Sequence, residues 1–135
     1  MKVIVLGCGR VGALLATQFS KEGHDVSIID KTTNSFKRLG SDFSGQVILG
    51  IGIDEDIQRK AGIEKADVFI AVTNGDNTNA MAAQVAKFVF NVPKVIMRVY
   101  DPERALAYRE MGLETICSTT VMAELVTRQI MGGGN

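Results

Sequence analysis

The chain has 135 residues, with 15 lysines and arginines balanced by 15 aspartates and glutamates, and 46% of it is hydrophobic. That length suits one domain burying about two-thirds of its surface, and the zero net charge leaves no electrostatic footprint for nucleic acid and no basic run for a membrane surface. No apolar stretch approaches the ~20 residues of a membrane span.

Residues 2–6 form a run of Val, Ile and Leu after Lys2, the pattern of a strand covered on both faces. It leads into Gly7-Cys8-Gly9-Arg10-Val11-Gly12, and Val11, Leu14, Leu15 and Phe19 then fall on one face of a helix over 10–22. Strand, glycine turn and helix are the components of a phosphate-binding βα unit. Gly7 permits the sharp turn, Gly9 lets backbone approach a pyrophosphate, and Gly12 lets helix and strand pack closely. The N–H groups at the helix start, with roughly half a positive charge, face the ligand. A glycine turn needed only for packing is the alternative. Cys8, inside the loop, is either a small space-filling residue or a thiol with a lowered pKa near the helix N-terminus.

The next strand, 25–29, ends at Asp30, about the spacing at which a carboxylate accepts hydrogen bonds from ribose hydroxyls. Such an acid repels a 2′-phosphate and favours NAD or an adenosine nucleotide over NADP, an inference that Lys31 beside it softens. Helices over 33–40, 54–61, 77–90, 102–111 and 119–131 alternate with strands over 46–49, 67–72, 94–99 and 114–117. The pattern predicts a single doubly wound parallel α/β sheet of the Rossmann type, six strands in the order 3-2-1-4-5-6. Ligand then sits at the carboxyl ends of the strands, where the order reverses between the first and fourth.

That geometry brings other loops to the same edge. Gly50-Ile51-Gly52 is compact enough for backbone to approach an adenine edge, and Thr73 and Asn74 offer a hydroxyl and an amide beside pyrophosphate or ribose. Asp76, Asn77 and Thr78 read rather as turn and capping residues of the following helix. Arg98, in an apolar strand, must reach solvent or pair with an anion, either a nucleotide phosphate or Asp101 or Glu124.

For catalysis and metals the expectation is negative. His24 lies in the turn at the amino end of the sheet, and neither Tyr100 nor Tyr108 has a Tyr-x-x-x-Lys arrangement. Asp54, Glu55 and Asp56 open a helix, which accounts for their charge. The two cysteines have no metal-ligand spacing, and Met1-Lys2 runs straight into a strand rather than a signal peptide, so a soluble cytoplasmic protein with reduced thiols is expected. Residues 132–135 read as a flexible tail.

Taken in order, Gly7-Cys8-Gly9-Arg10-Val11-Gly12, Asp30, Ala61-Gly62-Ile63-Glu64-Lys65-Ala66-Asp67, Ala71-Val72-Thr73-Asn74-Gly75-Asp76-Asn77-Thr78-Asn79 and the strand 95–99 resemble the RCK (KTN) nucleotide-binding domain of Trk/Ktr potassium-uptake regulatory subunits. The likeness covers residues 1–131. It implies a non-enzymatic cytosolic protein that binds NAD(H), ATP, ADP or AMP and gates a membrane potassium transporter, held to the inner face of the membrane only through that partner. It implies homodimers assembled into an octameric ring, with helix 119–131 crossing between subunits; a helix covering its own sheet is the alternative. Carried over by position, Gly7, Cys8, Gly9, Val11 and Gly12 cradle phosphates, Asp30 and Lys31 flank the ribose, and Gly50 and Ile51 lie by the base. Thr73, Asn74 and Arg98 line the remainder, and Arg10 reaches a terminal phosphate held by a neighbouring subunit. Two departures stand out. Ile51 replaces an acid that relatives often carry, and the chain stops where many relatives continue into a further ligand-binding domain. The competing reading is the nucleotide domain of an NAD-dependent oxidoreductase.

Overall fold

A computed structural model describes residues 1–132. The strands β1 (Lys2–Leu6), β2 (Asp25–Asp30), β3 (Gln46–Leu49), β4 (Val68–Ala71), β5 (Lys94–Val99) and β6 (Glu114–Cys117) form one sheet in the order 3-2-1-4-5-6, as the pattern predicts. All the pairings are parallel. The helices are α1 (Arg10–Lys21), α2 (Glu55–Lys60), α3 (Asp76–Gln84), α4 (Pro102–Glu110) and α5 (Ser118–Met131).

β1 is central because it is apolar on both faces. Val3 and Val5 join Val26, Ile28, Ala13 and Ala16 on the α1 side, whereas Ile4 and Leu6 join Phe69, Ala80, Ala83 and Met97 on the other. Alternation along a strand sends successive side chains to opposite faces, so a continuous apolar run is buried only if both faces are covered. Alanines on α1 and α3 keep the helices close to the sheet, which aims the α1 N-terminus at the carboxyl end of β1. Asp54 caps α2 by accepting from the Asp56 N–H at 2.8 Å, and Asp101 caps α4 by accepting from the Glu103 N–H at 3.0 Å.

Three segments differ from expectation. The helix expected over 33–40 is a 3₁₀ turn, Thr33–Arg38, with no buried residue. Its Thr33-Asn34-Ser35 start competes for backbone hydrogen bonds, and no apolar stripe pays for a longer helix. α3 ends early because Val85–Val89 widens into a π-helix. Asp76 does not cap α3; it bridges to the loop after β5, accepting from Tyr100 N–H at 2.9 Å and Asp101 N–H at 3.3 Å.

α5 stands apart. It has no buried residue, and its apolar positions Val121, Met122, Leu125, Val126 and Ile130 are all exposed. It touches the sheet mainly at its start, where Thr119 Oγ1 donates to the Tyr100 carbonyl at 2.7 Å. Gly132 closes it in the left-handed conformation (φ 75°). The rest of the expected tail, 133–135, lies outside the described residues.

Candidate functional site

The carboxyl ends of β1 and β4 diverge to leave a cleft of about 520 Å³ between the glycine turn, the β2 and β3 ends and the β4–α3 loop. Gly7, Cys8, Gly9, Asp30, Lys31, Gly50, Ile51, Thr73 and Asn74 all line it. Arg10, Val11, Gly12 and Arg98 do not appear in its wall.

The turn is built by glycine for stated reasons. Gly7 has φ 105°, and a Cβ there would lie 2.9 Å from the Thr73 nitrogen. A Cβ at Gly12 would land on the Gly7 carbonyl oxygen. A Cβ at Gly9 would meet no protein atom within 4 Å. Gly9 therefore borders open space, and its missing side chain leaves room for a group outside the protein to approach the turn. Arg10 and Val11 follow on the exposed first turn of α1.

Asp30 is wired into this turn. Its Oδ2 accepts from the Cys8 N–H at 2.8 Å and its Oδ1 from the Thr32 N–H at 2.9 Å, so one carboxylate ties the β1 loop to the β2 loop. Each oxygen keeps a further lone pair for a hydroxyl donor. Cys8 is buried and its Sγ donates to the Ser35 carbonyl at 3.3 Å. Burial first, and the Asp30 carboxylate second, push the thiol up to about 11, against a smaller opposing pull from Arg38. Of the two readings of Cys8, the space-filling one fits this buried, raised thiol and the lowered one does not; its N–H serves the turn.

The far wall rests on Asn79, which has no exposed surface. Its Oδ1 accepts from Thr73 N–H at 2.9 Å and Thr73 Oγ1 at 2.6 Å; its Nδ2 donates to the Thr73 carbonyl at 3.1 Å and the Arg98 carbonyl at 3.0 Å. Arg98 finds neither Asp101 nor Glu124. Its Nη2 donates to the Val72 and Thr73 carbonyls at 2.7 and 3.0 Å, and its guanidinium lies 5.0 Å from the Tyr100 ring centre. Those contacts hold the β4–α3 loop from behind. Buried Gln58 does the same for the base-side loop, donating from Nε2 to the Gly52 carbonyl at 2.8 Å.

Thr32, Ser35, Arg38, Gly75 and Thr78 also line the cleft. Arg38 Nη1 donates to the Cys8 carbonyl at 3.3 Å. Sequence spacing carried no signal for Arg38, because the α-helix expected over 33–40 has a different period from the three-residue turns of the 3₁₀ segment found there. Thr78 lay in a segment read as capping. At the opposite end of the sheet His24 packs its edge on Phe19 and meets the Met1 amino group at 3.0 Å. Among the described residues no cluster of three His, Cys, Asp or Glu is placed to hold a metal, and no helix is long and apolar enough to cross a membrane.

A doubly wound sheet with a glycine-walled cleft at its switch point, and an acid at the end of the second strand, is a Rossmann-type nucleotide-binding architecture. The TrkA-N domain model matches residues 3–119, and the chain belongs to that family. It is similar to the Trk system potassium uptake protein TrkA of Streptomyces coelicolor, 44% identical over 134 residues that cover 99% of this chain and 60% of the relative. The chain thus spans about three-fifths of that protein. Among solved structures, the TrkA-N domain of the inner membrane protein ybaL from Escherichia coli superposes with a TM-score of 0.83 at 18% identity, covering 95% of each chain. The Kef C-terminal domain of Shewanella denitrificans, in AMP-bound form, superposes with a TM-score of 0.81 at 22% identity, over 100% of this chain and 83% of that one. At such identities these two speak for the fold.

Proposed function

We propose that this chain is the nucleotide-sensing part of a potassium-uptake system: it binds NAD(H) or an adenine nucleotide in the switch-point cleft and works as a regulator of a Trk/Ktr-type membrane transporter, without catalysis. The observation that carries this reading is the coupling of Asp30 to the glycine turn through the Cys8 N–H. Phosphates lie against Gly7, Gly9 and the α1 N–H groups, and Asp30 accepts from a ribose hydroxyl. The base rests by Gly50 and Ile51, and Thr73 and Asn74 close the other side. Gly12 and Val11 act through the turn, and Arg98 acts through the carbonyls it holds. The bound nucleotide supplies the regulatory signal. The name of the Streptomyces relative and the AMP of the Kef domain support the assignment.

Titration calorimetry with NAD, NADH, ATP, ADP and AMP tests it. At least one is expected to bind, and Asp30→Ala is expected to weaken every ribose ligand by roughly 10- to 100-fold, the loss of one charge-assisted hydrogen bond. Unchanged affinities in that variant would contradict the site. Turnover of NADH with a small carbonyl substrate would instead support an oxidoreductase; the cleft's ionisable side chains are Cys8, Asp30, Lys31 and Arg38, and the thiol is held neutral.

The reading extends to assembly. A helix with its apolar stripe wholly exposed gains about 1 kcal/mol per half-exposed Leu or Ile that a partner covers. Instead of covering its own sheet, α5 leaves Ile116 of β6 half exposed. A second copy's α5 suits that face, giving homodimers that build the octameric ring against the cytoplasmic side of the transporter. Arg10 is then free to meet a terminal phosphate held by its neighbour. Light scattering at micromolar concentration is expected to give a dimer or larger, and Leu125→Glu with Ile130→Glu a monomer of unchanged helix content. A monomeric parent protein would overturn the interface.

A further inference from the structure

The ribose end of the cleft carries more positive charge than an unmodified adenosine needs. Its ionisable side chains there are one anion, Asp30, and two cations, Lys31 and Arg38. Among the described residues neither cation lies within 4.0 Å of a carboxylate. Asp30 is also less free than a lone acid at this position. Both its oxygens already accept main-chain N–H groups, at 2.8 and 2.9 Å, which draws its charge towards the two loops. Arg38 is anchored to the same turn through the Cys8 carbonyl, at 3.3 Å from Nη1. That contact occupies one of its donors and leaves the rest of a fork suited to phosphate oxygens.

We infer that Lys31 and Arg38 form an anion subsite beside Asp30, which takes a phosphoryl group on the adenosine ribose in addition to the 5′-phosphates at the glycine turn. The ligand class is a ribose-phosphorylated adenosine, with Asp30 accepting from whichever hydroxyl stays free. An acid at the end of the second strand ordinarily rejects a 2′-phosphate, and an arginine nearby ordinarily accommodates it. Here the two cations outnumber the acid, and two N–H groups already share its charge. The inference rests on the cleft being a nucleotide site.

Calorimetry with AMP, adenosine 2′,5′-bisphosphate and adenosine 3′,5′-bisphosphate tests it on the full chain. One bisphosphate is expected to bind about tenfold or more tightly than AMP. The 2′ compound in that role points to a dinucleotide phosphate of the NADP type, and the 3′ compound to a coenzyme A-like adenosine. In Lys31→Gln with Arg38→Gln the affinity ratio is expected to fall close to one. AMP binding as tightly as both bisphosphates would overturn the subsite while leaving the nucleotide site standing. Failure of all three to bind while NAD or ATP binds would overturn the subsite alone, and failure of NAD and ATP as well would overturn both. A ratio unchanged in the double variant would place the preference elsewhere and overturn the role of Lys31 and Arg38.

Discussion

Asn79→Ala is expected to destabilise the domain by about 3–4 kcal/mol and to lower its melting temperature by roughly 10 °C. The side chain is fully buried and makes contacts that no neighbour can replace: two donors of Thr73 and the carbonyls of Thr73 and Arg98 all converge on its amide. Alanine leaves the Thr73 N–H and the Arg98 carbonyl without this partner at a depth where water enters poorly, and each such loss costs about 1–3 kcal/mol, while the Thr73 carbonyl keeps the Arg98 guanidinium. Because Arg98 holds the same loop through Val72 and Thr73, part of the network survives. The β4–α3 loop then loosens rather than unfolding the sheet, and nucleotide affinity falls with it. Urea unfolding monitored by circular dichroism checks the number. A loss below about 1 kcal/mol would show that the loop is held chiefly by Arg98.

Gly12→Ala is expected to be as severe, through sterics alone. The added methyl falls on the Gly7 carbonyl oxygen, with Val72 just behind, so backbone must move. Either α1 lifts from β1, opening contacts made by Ala13 and Ala16, or the turn at Gly7 shifts and its N–H leaves the Ile29 carbonyl, now at 2.8 Å. Overpacking of this kind costs about 3 kcal/mol. In either case the helix N-terminus moves relative to the cleft, so binding is lost even in protein that remains folded at low temperature. Gly9→Ala provides the contrast. Its methyl meets no protein, so stability changes little while a ligand at the turn is obstructed. Equal stability loss in the two variants would contradict this division between a packing glycine and a ligand glycine.

Much of this site was legible in the chain because its frame is local. An apolar run, a glycine turn and a helical stripe fall within one stretch, and parallel strands joined by helices leave little choice of sheet order. What was hidden depends on contacts across the fold. Arg98 was recognisable as a cation in an apolar strand that must reach solvent or pair with an anion, but the main-chain carbonyls it meets have no sequence signature. Asp76 was read as a cap because capping is a local rule, whereas its partners lie in the loop after β5. At Cys8 two effects oppose each other, a helix terminus that favours the thiolate and burial that disfavours it. Burial wins because the sulfur points into the α1-side core. Arg38 escaped because irregular backbone decides where it lies. The stripe on α5 was plain, yet only the structure shows that its own sheet does not cover it.

Hydrogen–deuterium exchange of the folded chain with and without saturating NAD or ADP addresses the central claim most directly. Added nucleotide is expected to slow exchange at Gly7–Gly12, Asp30–Thr32, Gly50–Gly52 and Thr73–Gly75 together, since these segments wall one cleft. Protection confined to α5, with the glycine turn unchanged, would contradict it.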